Sequence, residues 1–251
     1  MIQKENCKGL TDKVFFGKIQ KQYHNAENVK EANKLKEKNL KTRLLMYFIG
    51  LFIMTMGIAL SVKSDLGVSP VSSIPYTMTV VWGIEMGLAT FLFHIALVLI
   101  QILLLWKRFK IKNLIQLAVG IVFGLFTTFC NYLVADLLPA VDDLAIRIIM
   151  LVVSIIVVAV GIFLYVPPDI MPLAGEGTML VISEVTHFKF SNVKIVSDAV
   201  LSVISLCICL VTIGDLGSVG AGTVVSAVLT GIVLGIITKL FGEKRDKLLK
   251  G

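Results

Sequence analysis

Apolar residues along this chain come in long unbroken blocks rather than in the alternation of a half-buried strand or an amphipathic helix. Six blocks, approximately residues 44–62, 88–106, 114–137, 145–166, 193–213 and 219–240, are close to the roughly 20 residues that a helix needs to cross about 30 Å of hydrocarbon. Only a backbone that closes its own hydrogen bonds survives there, so each block predicts an α-helix. Two shorter apolar pieces, about 71–82 and 177–185, follow the first and fourth blocks and are too short to cross comfortably. The pattern predicts an all-α polytopic membrane protein with six transmembrane helices and two short re-entrant or broken helices.

Composition agrees with the pattern. The chain of 251 residues is 56% hydrophobic and only 16% charged, and its mean hydropathy is +0.88, far from the balance of a water-soluble domain. The net charge of +7 comes from basic residues beside apolar blocks, without the aromatic-interleaved basic motif of a nucleic-acid binder. Topology explains that charge: Lys and Arg concentrate in cytosolic loops. If the short pieces do not cross, the cytosolic set is the N-terminal arm, the loop 107–112, the stretch after Val166, and the tail with Lys244, Arg245, Lys247 and Lys250. The outer loops then hold mainly acids, among them Asp136, Asp142, Asp143 and Asp215, with Lys63 and Arg147 the basic residues near that face. Both termini are therefore expected in the cytosol. Residues 1–42 read as a basic arm, 43–142 and 143–242 as two membrane units, and 243–251 as a tail. Glu and Lys at helical spacing over 30–41 predict a solvated helix, and the polar start carries no secretory leader pattern. Cys7, Cys130, Cys207 and Cys209 form no CxxC pair and read as free thiols.

Compared with itself at the offset that carries Gly57 onto Gly161, the chain shows an internal repeat. Arg43 falls on Arg147, Met46 on Met150, Gly57-Ile58 on Gly161-Ile162, Leu60 on Leu164, Val62 on Val166, Asp65 on Asp169, Leu97 on Leu201 and Ile100 on Ile204. Each unit has three spans and one short piece after its first span. An odd number of crossings separates equivalent points, so the units are expected as inverted three-helix repeats. Such repeats, interrupted at matching places, are the usual build of secondary transporters, with the solute near the midplane between them.

The interruptions are 63–75 and 167–178, both rich in Pro, Gly and hydroxyls. Pro lacks a backbone donor and Gly relaxes φ, so unpaired backbone groups gather there and need a partner. Asp65, Ser69, Ser72 and Ser73 in the first and Asp169, Glu176 and Thr178 in the second are candidate substrate-binding residues. The helix starts that follow would present N–H groups and partial positive charge. For Glu176 three readings stand open: a cap of its own helix, a cation ligand or a proton carrier. His94 and Asp198 occupy equivalent positions in the second span of each unit. An ionisable group inside a span costs at least about 2.5 kcal/mol, which makes a functional or paired role the default. Lys194, one turn before Asp198, is the final candidate, with an intrahelical ion pair as the competing reading. The small residues at 120–124 and 217–223 are expected to let helices approach closely.

At these residues the chain resembles the bacterial YczE/YyaS/YitT group of membrane proteins over about 43–241. The resemblance rests on Gly57-Ile58-Ala59-Leu60 followed by Asp65-Leu66-Gly67-Val68-Ser69-Pro70. It rests also on Gly175-Glu176-Gly177, on Lys194 with Asp198, and on Gly220-Ala221-Gly222-Thr223-Val224-Val225-Ser226-Ala227. At the positions after Pro70, where members often carry an aromatic residue and an acid, this chain has Val71 and Ser72. The resemblance implies a bacterial inner-membrane protein and an exporter, without a substrate or catalytic residues.

The expected function is a secondary transporter of a small polar or amphiphilic solute, proton-coupled through Asp198, Glu176 or His94. The alternative is an accessory protein whose basic arm recruits a cytosolic partner. No catalytic triad, metal-ligand spacing or phosphate-cradling GxxxxGK[ST] loop is present, so the chain is expected to be neither an enzyme nor ATP-driven, and to use no cofactor. The expected partners are the solute and the lipid bilayer, with no nucleic acid.

Overall fold

The computed structural model describes residues 40–139 and 142–250. Eight α-helices follow one another: α1 (Leu40–Ser64), α2 (Pro70–Trp82), α3 (Met86–Leu105), α4 (Ile115–Leu137), α5 (Leu144–Tyr165), α6 (Ala174–Thr186), α7 (Phe190–Thr212) and α8 (Ala221–Lys250). Six of them, all but α2 and α6, are long and apolar enough to cross a membrane. The basic loop after α3 is two short 3-10 turns, Trp106–Arg108 and Ile111–Leu114, with no buried residue. The arm read from the sequence, with its helix over 30–41 and Cys7, lies almost wholly outside the described residues. The segment read as a tail is helical, because α8 continues to Lys250. Arg245 holds it down, lying 4.4 Å over the Phe163 ring and donating to the Phe163 carbonyl at 3.2 Å.

The centre of the molecule is the antiparallel pair α1 and α5. Their backbones touch because glycine stands at the crossings. A Cβ on Gly57 would sit 2.8 Å from the Val158 nitrogen, and one on Gly161 would sit 2.6 Å from the Met54 nitrogen. These two contacts exchange under the sequence offset, since Met54 falls on Val158 as Gly57 falls on Gly161. The same exchange recurs at the helix ends. Arg147 donates to the Ser64 carbonyl at 2.7 Å and pairs with Asp65 at 2.6 Å, while buried Arg43 donates to the Pro168 carbonyl and feels the charge of Asp169. Each first-span arginine thus closes the end of the other unit's first span, where carbonyls would otherwise lack partners.

Asp65 and Asp169 terminate those spans in the left-handed region, at φ 52° and 49°. A short polar side chain tolerates that conformation better than most, which accounts for an acid at both equivalent places. Gly83 and His187 do the same at the ends of α2 and α6.

The short helices cross over to the opposite unit. Ser73 of α2 donates to the Leu201 carbonyl at 3.5 Å and accepts from Ser205 at 2.9 Å, and Thr77 meets Ser218 at 2.6 Å. Thr178 of α6 donates to the Leu97 carbonyl at 3.3 Å and accepts from Gln101 at 3.2 Å. Each short helix begins beside the middle of the other unit's second span. α2 then runs alongside α7 to the end where α7 finishes. Two bodies result: α1, α4, α5 and α8 pack together, and α2, α3, α6 and α7 pack together, joined chiefly along α3 and α4.

Candidate functional site

Between the two bodies lies a cavity of about 440 Å³. Both interruptions reach it, the first through Ser69 and Pro70 and the second through 169–173, and α7 and α8 stand on its far sides. Most of the wall is apolar, with Met54, Ile58, Phe93, Phe123, Ile162 and Met179 among the lining residues. A few polar groups converge on this surface, the usual make-up of a small-molecule site. Tyr47 fixes one rim by donating to the Met171 carbonyl at 2.7 Å. A side pocket of about 10 Å³, room for one water, is walled by Ser61, Ser69, Ser72, Ser154, Ser226 and Thr230.

Glu176, Lys194 and Asp198 gather on one side. Glu176, in the first turn of α6, accepts a hydrogen bond from the Tyr165 hydroxyl. Asp198 Oδ2 accepts from Lys194 Nζ at 2.8 Å across one turn of α7, so the intrahelical pair weighed from the sequence is formed. That pair leaves Asp198 Oδ1 buried without a hydrogen-bond partner. The fields of Lys194 and Asp198 both reach Glu176. His94 lies stacked on Phe123 at 5.6 Å, and its Nδ1 is likewise buried without a partner. A Cβ at Gly120 would stand 2.9 Å from that nitrogen, so glycine is what admits the ring between α3 and α4.

Of the residues singled out in the sequence, Ser69, Ser72, His94, Asp169, Glu176, Lys194 and Asp198 line this one cavity. Asp65, Ser73 and Thr178 do not. Asp65 is held by Arg147 at the molecular surface, its side chain 70% exposed, and the hydroxyls of Ser73 and Thr178 fasten the short helices to the opposite unit. Two polar features were not anticipated. Tyr165 is the donor that faces Glu176; its place at the end of the fourth apolar block was a weak signal. Gln101 and Gln116, both buried, bond each other at 3.0 Å beneath Thr178. A Gln in each of two apolar blocks is the pattern that marks them.

The small-residue segments divide. Gly120 and Gly124 bring α4 against α3, as expected. Gly220 and Gly222 instead admit the first interruption: Gly222 N–H donates to the Leu66 carbonyl at 2.8 Å and Val68 N–H to Ser218 at 3.3 Å. A Cβ on Gly220 would lie 2.4 Å from the Leu66 oxygen.

Six long apolar helices and two short ones around a charged cavity define a polytopic α-helical membrane protein. The chain belongs to a family of unknown function, DUF6198, whose model matches residues 41–239. It is 26% identical over 199 residues to the uncharacterized membrane protein YczE of Bacillus subtilis (strain 168), covering 79% of this chain and 86% of that one. No solved structure matches.

Proposed function

We propose that the chain is a secondary transporter of a small solute in a bacterial plasma membrane, with both termini in the cytosol and the solute held in the cavity between two inverted repeats. The carrying observation is that both interruptions and both repeat-related positions, His94 and Asp198, line the same cavity. An anchor for a cytosolic partner has no use for such an arrangement. The exchange of contacts between α1 and α5 under the repeat offset supports the inverted relation. The division into two bodies supports alternating access, in which the body α2, α3, α6 and α7 rocks against the other while the site stays between them.

Single cysteines at Ser72 and Ser226, both on the cavity wall, test this reading in a background without Cys7 and exposed Cys207. In membrane vesicles of either orientation, an impermeant thiol reagent is expected to modify each position from both faces. Modification from one face alone, in well-folded protein, overturns the transport reading. If residues 1–39 can be removed without altering the two-sided pattern, the functional unit is the membrane core; loss of the pattern would favour the partner-recruiting alternative.

A further inference from the structure

Among the described residues the charges that line the cavity do not balance, and the imbalance has a sign. On its charged side stand two carboxylates, Glu176 and Asp198, and one ammonium, Lys194. Asp169 is offset by the field it shares with Arg43. Among the described residues Glu176 has only the neutral Tyr165 hydroxyl as its direct side-chain partner, and Asp198 keeps one oxygen buried and unbonded. A buried carboxylate without a counter-charge is costly, and a cation that enters beside it removes that cost. The remainder of the space is too large and too apolar for a bare metal ion with its water: Phe93, Phe123, Met179 and Ile162 offer ring and aliphatic surface. Aromatic faces also favour a diffuse organic cation.

The route in is visible from the same residues. Ile195 on α7 and Ile232 on α8 line the cavity and yet are 68% and 43% exposed. α7 packs on α2 and α6, and α8 on α5, without a packed seam between α7 and α8. The gap between α7 and α8, two helices long and apolar enough to span, thus gives the cavity a lateral outlet lined by apolar side chains. An amphiphile dissolved in the bilayer reaches such an opening without leaving lipid.

We infer that the cavity binds an amphiphilic organic cation, its charged centre beside Glu176 and Asp198 and its apolar body against the Phe93–Phe123 wall, entering from the membrane between α7 and α8. This rests on the transport reading for its meaning but not for its test, which is a binding measurement on the purified full-length protein. The probe is tetraphenylphosphonium, with tetraphenylborate as the anion of the same shape. Saturable binding of the phosphonium is expected, at least about tenfold tighter than the borate. Glu176→Gln and Asp198→Asn should each weaken it about tenfold or more, whereas Lys194→Gln should tighten it, because removing the ammonium enlarges the carboxylate surplus. General loss of structure weakens binding in all three variants, so the opposite sign at Lys194 separates charge recognition from misfolding. Equal affinity for the two probes, no saturable phosphonium binding, or weakening in all three variants overturns the inference. No phosphonium binding together with two-sided labelling at Ser72 and Ser226 would remove the substrate class and leave the transport reading standing; binding with one-sided labelling would do the reverse.

Discussion

The pairs α3–α4 and α7–α8, which the sequence offset sets at matching places, differ in how they pack. In the first half, α3 and α4 are in close contact: a Cβ on Gly124 would lie 2.8 Å from the Gly87 oxygen, and Glu85 both caps α3 and accepts from Thr128 of α4 at 2.9 Å. In the second half the corresponding helices stand apart. The repeat offset carries Gly87 onto Ser191, Gly120 onto Val224, Gly124 onto Val228, His94 onto Asp198 and Glu85 onto Lys189. Where the first half has glycines that let backbones meet, the second has β-branched bulk, with Val224 67% and Val228 58% exposed. Where the first has an imidazole stacked on Phe123 beside Gly120, the second has a carboxylate paired with Lys194. The first seam joins the two bodies, whereas at the second α7 and α8 do not pack on each other.

The largest expected effect lies on the element both halves share. Gly57→Leu and Gly161→Leu each force a side chain into the opposite backbone, and each should abolish a folded, monodisperse protein in detergent. A large effect from one and a small effect from the other would break the equivalence of the two positions. Next come the arginines. Arg43→Gln removes a buried charge donor and should cost about 3 kcal/mol in thermal stability, whereas Arg147→Gln, paired to the exposed Asp65, should cost about 1 or less. The seam itself predicts a smaller contrast. Gly124→Ala should destabilise by about 1–3 kcal/mol, while Gly235→Ala on α8, where a Cβ meets nothing within 4 Å, should be neutral or stabilise by up to about 1. Equal costs at both glycines would contradict an open second seam.

Much of this was legible in the chain. The six blocks fall on the six long helices, and the two short pieces fall on α2 and α6, because hydrocarbon forces a closed helical backbone and leaves no other choice. Asp65 and Asp169 stand at matching places under the sequence offset, but nothing local to either says that it ends a helix in the left-handed region. Contacts that join distant segments were not legible. Nothing local to Ser73 or Thr178 says that each reaches the second span of the opposite unit, and nothing in the tail says that Arg245 will lie over Phe163. The open seam occupies a middle ground. Gly120 and Gly124 announce close approach, but the meaning of Val224 and Val228 emerges only when they are set beside those glycines at the repeat offset.

The central claim is that the two bodies move against each other about the closed seam, and spin-label distances measure that motion directly. Labels at Leu144 and Leu210 span the bodies at one end of the molecule, and labels at Leu40 and Trp106, their repeat equivalents, span them at the other; all four positions are exposed. In reconstituted protein the account predicts two distances for each pair, with the longer one gaining population at one end as it loses population at the other when tetraphenylphosphonium is added. A single, unchanged distance for both pairs would contradict it.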